Sequence, residues 1–144
     1  MLRFLFSFAA VLAGAAIAFQ GAANAGLSAR TGLGAALVIN TSVVLISAMV
    51  FLFAGGSSSP FFPPDTPWFL YIGGLCGFGF ILASAFVFPK IGAAPSVALI
   101  VLGQGAAALA IDHFGLMGLT RQPVSASHIG GFVLIVSGVM LLKR

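Results

Sequence analysis

The chain has 144 residues, of which 60% are hydrophobic and 6% charged, and its mean hydropathy is +1.20. About 25% of the residues of an ordinary soluble domain are charged, so this composition excludes the soluble globular class. The formal net charge of +4 comes from six basic and two acidic side chains that are scattered along the chain, whereas nucleic-acid binding needs clustered Lys and Arg. Cys76 is the single cysteine, which excludes a disulfide framework. We predict an integral membrane protein.

Charges, prolines and glycines divide the sequence into five apolar segments, at about residues 2–27, 32–54, 68–88, 92–116 and 128–142. A Ser/Pro-rich connection, "GGSSSPFFPPDTP", separates the second segment from the third, and its prolines cannot continue a lipid-exposed helix. The break "PK" follows the third segment. The fifth segment is short for a bilayer, so four spans is the alternative count. We predict an all-α polytopic protein with five transmembrane helices in a single membrane domain.

The first segment has two incompatible interpretations. Arg3, the apolar stretch and the small-residue motif Ala23-Asn24-Ala25 fit a secretory signal peptide with its cleavage site. The apolar stretch is nevertheless longer than the usual signal core of about 7–15 residues, and no exported domain is evident after it. We therefore expect this segment to be retained as a transmembrane helix.

Polar side chains inside these segments are the first candidates for a functional site. Gln20 and Asn24 are four residues apart and so lie on one face of the first helix, and Gln104 lies near the middle of the fourth segment. The second helix carries the polar cluster at residues 40–42. Such groups either hold helices together through interhelical hydrogen bonds or line a shared cavity. We predict that Gln20, Asn24 and Gln104 line one cavity and bind the substrate.

Asp112 and His113 form the only acid–base pair close to a membrane segment. An ionisable group inside a membrane is by default a functional hypothesis, here a role in proton or substrate coupling. The alternative is an interfacial or structural role, because the pair lies near the end of its segment. Asp65 lies in the polar connection and is expected to be solvated.

The basic residues give a weak prediction of orientation. With five spans, one side of the membrane holds two of them and the other holds four: Arg3 and Arg121 against Arg30, Lys90, Lys143 and Arg144. The positive-inside rule then favours an external N-terminus and a cytoplasmic C-terminus. Because the bias is small, insertion in both orientations is the alternative.

No sequence motif indicates catalysis. The chain has no Walker motif, no HExxH motif and no Ser/His/Asp set in a soluble portion. We expect no enzymatic activity, no cofactor and no metal site.

In order along the chain, "AFQGAANAGLSARTG", "PWFLYIGGLCGFGF", "GQGAAALAIDHFGLMG" and "GGFVLIVSGVMLLKR" resemble the YdcZ-like family (domain of unknown function 606) of the drug/metabolite transporter superfamily. The resemblance runs nearly from end to end. One departure lies in the second helix, "VINTSVVLISAM", where relatives tend to carry a glycine after the hydroxyl cluster.

The resemblance implies a half-size transporter of five helices in the bacterial inner membrane. Larger relatives contain two such units in inverted orientation, so a single unit would work as an antiparallel homodimer, or as a heterodimer with a sister chain. The family's recurrent polar residues fall on Gln20, Asn24, Gln104, Asp112 and His113. The substrate would be a small organic molecule. The alternative function is a helical module that stabilises or regulates a partner membrane protein without transporting anything.

Overall fold

A computed structural model describes the backbone of residues 2–55 and 62–142, and the side chains of the same ranges from residue 4 onward. It contains five α-helices: α1 (Leu2–Thr31), α2 (Leu33–Gly55), α3 (Gly73–Ile91), α4 (Ala93–Phe114) and α5 (Ala126–Leu142). Short 3-10 helices occupy Trp68–Ile72 and Leu116–Gly118. The described ranges contain no strand, which confirms the all-α, five-helix fold. Residues 56–61 of the Ser/Pro-rich connection, the Arg3 side chain, Lys143 and Arg144 lie outside the description.

Four of the helical stretches are long and apolar enough to cross a membrane: Phe4–Thr31, Leu33–Gly55, Trp68–Ile91 and Ala93–Phe114. The fifth helix is apolar but has 17 residues. At a rise of 1.5 Å per residue it is about 25 Å long, against about 30 Å for the hydrocarbon core. It therefore lies at the short limit for a spanning helix.

The helix boundaries differ from the predicted breaks at two glycines. Gly32 has a φ of +81° and ends α1, which extends beyond the predicted limit at Leu27. The sequence predicts that the third helix ends before Pro89. The helix instead continues through this proline to Ile91 and ends at Gly92, where φ is +85°. A proline near a helix end removes only one intrahelical hydrogen bond, whereas a left-handed backbone conformation cannot continue the helix.

The chain divides into two compact units, residues 1–89 and 90–144. In the first unit, α1 and α2 are separated by Gly32 alone and pack against each other. The third helix presents a face of buried side chains at a helical spacing: Ile81, Ser84, Ala85 and Phe88. Phe88 packs against Gly21 of α1, where a Cβ atom would lie only 2.3 Å from the phenyl ring. This close approach brings α1 and α3 together.

In the second unit, α4 and α5 pack against each other. Gly105 of α4 lies beside Phe132 of α5, whose ring is 3.6 Å from the position of a Cβ atom at the glycine. The first turn of α5 is capped by Ser125, whose hydroxyl accepts a hydrogen bond from the backbone N–H of His128. The second unit is therefore a helix pair joined by the loop between Phe114 and Ala126.

The contact between Gly21 and Phe88 predicts that Gly21→Ala destabilises the first unit. The added methyl group would overlap the buried phenyl ring, and overpacking of this kind costs about 1–3 kcal/mol. We expect a loss of about 1 kcal/mol, because the atoms in conflict form the tip of a ring that can shift. The measurement is the free energy of unfolding of the purified chain in detergent.

Gly14→Ala is the matched control, because a Cβ at Gly14 of the same helix would have no neighbouring atom within 4 Å. Phe88→Leu should recover part of the stability of Gly21→Ala. Equal stabilities of the two alanine variants would contradict the close approach of α1 and α3.

Candidate functional site

The Asn24 side chain joins three helices of the first unit. Its amide nitrogen donates a hydrogen bond to the Ser84 hydroxyl of α3 at 3.0 Å, and its carbonyl oxygen accepts one from the Asn40 amide of α2. The Ser84 hydroxyl in turn donates to the backbone carbonyl of Ile81 at 2.8 Å. Asn24 is 4% exposed and Ser84 is 2% exposed. The polar groups of this bridge satisfy one another away from lipid.

Gln20, one helical turn before Asn24, occupies a different environment. It lines an open cavity of about 430 Å³ in the first unit, in company with residues of α2 and α3: Thr41, Val44, Leu45, Gly74, Gly77 and Phe78. Its amide has no hydrogen-bond partner within the described part of the chain. Because that amide borders open space, it can donate to and accept from a bound molecule or water.

A second, smaller cleft of about 310 Å³ shares two lining residues with this cavity, Thr41 and Phe78. The Thr41 hydroxyl is exposed and has no partner in residues 2–55 or 62–142. The two hollows therefore border the same polar position on α2. Together they form an apolar groove in which Gln20, Thr41 and Ser42 are the polar lining residues.

Gln104, the third predicted substrate ligand, belongs to the second unit. Its side chain is exposed on α4 and has no hydrogen-bond partner among the described residues. The structure thus brings Asn24 into the polar bridge and Gln20 to the cavity wall. That Gln104 joins them in one cavity stays a prediction.

Asp112 and His113 face different surroundings although they are adjacent. The His113 Nδ1 atom accepts a hydrogen bond from the backbone N–H of Val124, and the His113 carbonyl accepts one from the Arg121 side chain at 3.0 Å. His113 therefore holds the loop between α4 and α5. The Asp112 side chain instead lines a cleft between these helices, which it shares with His128. The assignment of a coupling role to the pair remains untested.

Ser84 and His128 were not among the predicted site residues. Ser84 lies within "ILASAFVF", and its signal is that it is the one polar residue of this apolar stretch. His128 begins the fifth predicted segment, so its position in the sequence indicates a segment boundary. Its relation to Asp112 depends on how α4 packs against α5, which the separation of 16 positions does not indicate.

Comparison with known proteins gives one family. The model of the family DMT_YdcZ, described as "Putative inner membrane exporter, YdcZ", matches residues 5–141. No curated protein and no solved structure matches the chain. The matched range covers all five helices except residues 2–4 of α1 and residue 142 of α5.

The Asn24–Ser84 hydrogen bond predicts a measurable coupling between α1 and α3. Asn24→Ala and Ser84→Ala should each destabilise the chain, and the double variant should lose less than the sum. Interhelical hydrogen bonds in membrane proteins contribute about 0.6 kcal/mol on average and up to about 1.7 kcal/mol, so we expect a coupling energy in that range. Reversible unfolding in detergent provides the measurement.

Ser47→Ala is the control partner in the cycle, because the Ser47 hydroxyl bonds to the Val43 carbonyl of its own helix. The effects of Asn24→Ala and Ser47→Ala should add. If the destabilisations of Asn24→Ala and Ser84→Ala also add, the hydrogen bond between these two residues does not stabilise the fold.

Proposed function

The chain belongs to the YdcZ family of inner membrane exporters, and from that premise we propose that it is a subunit of a secondary transporter for a small organic molecule. Its helices make it a multi-pass protein of the inner membrane. We propose further that it acts as an antiparallel dimer, with the N-terminus outside and the C-terminus inside favoured for the majority orientation.

The observation that carries this proposal is the Gln20 amide at the wall of an open cavity. An amide without a partner in hydrocarbon costs several kcal/mol, so this position needs water, a ligand or a neighbouring subunit. The cavity of about 430 Å³ beside it leaves room for the first two. A helical module that only stabilises a partner protein has no use for such a cavity. The open groove with a free amide therefore supports transport over the alternative of a non-transporting module.

The cavity wall also supports a substrate class. Apart from Gln20 and Thr41, its lining consists of apolar residues and glycines, with the Phe78 and Phe80 rings among them. A neutral or weakly polar molecule with an apolar body and one or two hydrogen-bonding groups fits this wall. In this proposal Gln20 binds the substrate directly, and Asn24 fixes the helices that carry the cavity.

Two features support a second copy of the chain, or a sister chain, as the partner. Gln104 is exposed in the apolar helix α4 and has no partner in the described part of the chain, so a neighbouring subunit could satisfy it or complete a cavity around it. An odd number of spans also places the two termini on opposite sides of the membrane. Transporters built from inverted units place their substrate site between them near the midplane.

We predict that the Gln20 position is reached by water. In a chain whose Cys76 has been replaced by serine, Gln20→Cys should react with a small hydrophilic methanethiosulfonate reagent in native membranes. The thiolate, which forms in water and not in hydrocarbon, attacks the sulfenyl sulfur of the reagent, forms a disulfide and releases methanesulfinate. Labelling is measured by mass spectrometry.

Phe19→Cys is the matched control, because Phe19 is adjacent on α1 and 79% exposed but lines neither cavity of the first unit. It should react much more slowly, since its surface faces lipid. If Gln20→Cys is as unreactive as Phe19→Cys, the cavity is sealed and the non-transporting module becomes the better proposal.

We also predict that copies of the chain insert in both orientations. A single cysteine added at the N-terminus, again without Cys76, should be labelled in part from the outside and in part only after the membrane is permeabilised. Labelling of every copy from one side, with no sister chain expressed, would contradict the antiparallel homodimer.

A further inference from the structure

The second unit contains a cleft in which an acid, a hydroxyl and an aromatic ring meet. Its volume is about 360 Å³, and it lies between α4 and α5. Asp112 comes from the last turn of α4, whereas Ser127, His128 and Phe132 come from the first two turns of α5. This cleft shares no lining residue with the cavity that Gln20 lines, and the proposed transport function makes no use of it.

The Asp112 carboxylate is half-buried in this cleft and has no hydrogen-bond or ion-pair partner within residues 4–55 and 62–142. The backbone of the residue is fixed, because the Asp112 carbonyl accepts hydrogen bonds from the N–H groups of Gln122 at 2.7 Å and Gly115 at 3.3 Å. The negative end of the α4 dipole lies at the same place and adds to the attraction for a cation.

No charged group among the described residues forms an ion pair with this carboxylate. The Arg121 side chain donates to the His113 carbonyl, and the His113 ring accepts from the loop backbone. The His128 Nδ1 atom accepts a hydrogen bond from the Ser125 N–H, so a neutral His128 ring carries its proton on Nε2. Among the residues that line the cleft, Asp112 is the one acid, and none is Lys or Arg.

The rest of the wall offers one further acceptor and an apolar surface. The Ser127 hydroxyl is hydrogen-bonded to that of Ser125 at 2.8 Å and keeps a lone pair for a donor. Phe132, beside Gly105 and Gly131, gives an aromatic wall next to positions that have no side chain. An aromatic face also attracts cations.

We propose that this cleft binds a small primary amine in its protonated form. The ammonium group would donate hydrogen bonds to the Asp112 carboxylate and the Ser127 hydroxyl, and its apolar substituent would lie against Phe132. A primary ammonium matches the site because it combines one positive charge with three donors, and the cleft offers one negative charge with several acceptor lone pairs.

The test is equilibrium binding of radiolabelled 2-phenylethylamine to the purified full chain in detergent at pH 8. Binding is counted as the part displaced by excess unlabelled amine. We expect displaceable binding to the unaltered chain and a loss of roughly tenfold or more in affinity for Asp112→Asn, because the negative charge is removed and the ammonium keeps only a neutral amide acceptor. Asp65→Asn removes the other carboxylate side chain of the protein, which is exposed and lies outside the cleft, and should bind normally.

A neutral analogue tests the charge requirement without any substitution. Unlabelled 2-phenylethanol has the same apolar body and should not displace the amine at concentrations at which 2-phenylethylamine does. Equal displacement by the alcohol, equal affinity of Asp112→Asn, or no displaceable binding to the unaltered chain would each overturn the proposal. Amine binding and the labelling of Gln20→Cys are measured separately, so failure here is distinguishable from failure of the proposed transport site.

Discussion

The Asn24 bridge is the interaction on which the arrangement of the first unit depends. One amide side chain both donates and accepts, and it thereby connects α1 with α2 and with α3. Such a bridge is short, so the helices must approach closely. Gly21 permits this approach, because it has no side chain and the Phe88 ring occupies the space that a Cβ atom would take. The glycine contact therefore supports the hydrogen bonds, because the small residue lets the helices come as close as the bonded side chains require.

The bridge also determines where the cavity lies. Asn24 and Gln20 occupy the same face of α1, one turn apart. Around Asn24 the three helices are held together by polar contacts. The cavity that Gln20 lines remains open beside Gly74 and Gly77 of α3, which present no side chains. A single helix face thus serves two purposes, with a closed polar contact next to an open polar wall.

The sequence predicted the helices well, because a long apolar stretch without charges has few alternatives to a helix in a membrane. It predicted the polar residues of α1 but not their different roles. Gln20 and Asn24 have the same chemistry and share a face, and only the positions of Ser84 and Asn40 distinguish a satisfied amide from a free one. The same holds for Asp112 and His113, since the course of the loop after α4 decides which side chain enters the cleft. Whether a polar side chain has a partner or faces open space depends on contacts between helices. Periodicity and composition carry no information about such contacts.

The polar groups in the apolar helices divide into two sets by their partners. Asn24, Ser84 and His113 are hydrogen-bonded within the chain and are explained by the fold. Gln20, Thr41 and Gln104 have no partner among the residues that the structure describes, and the fold gives no reason for them. An unpaired amide facing lipid would cost several kcal/mol, and replacing it with leucine would remove that cost without disturbing the helix. Polar residues in such positions are compatible with a stable membrane protein only where water, a ligand or another subunit satisfies them, which is the condition that a transport pathway provides.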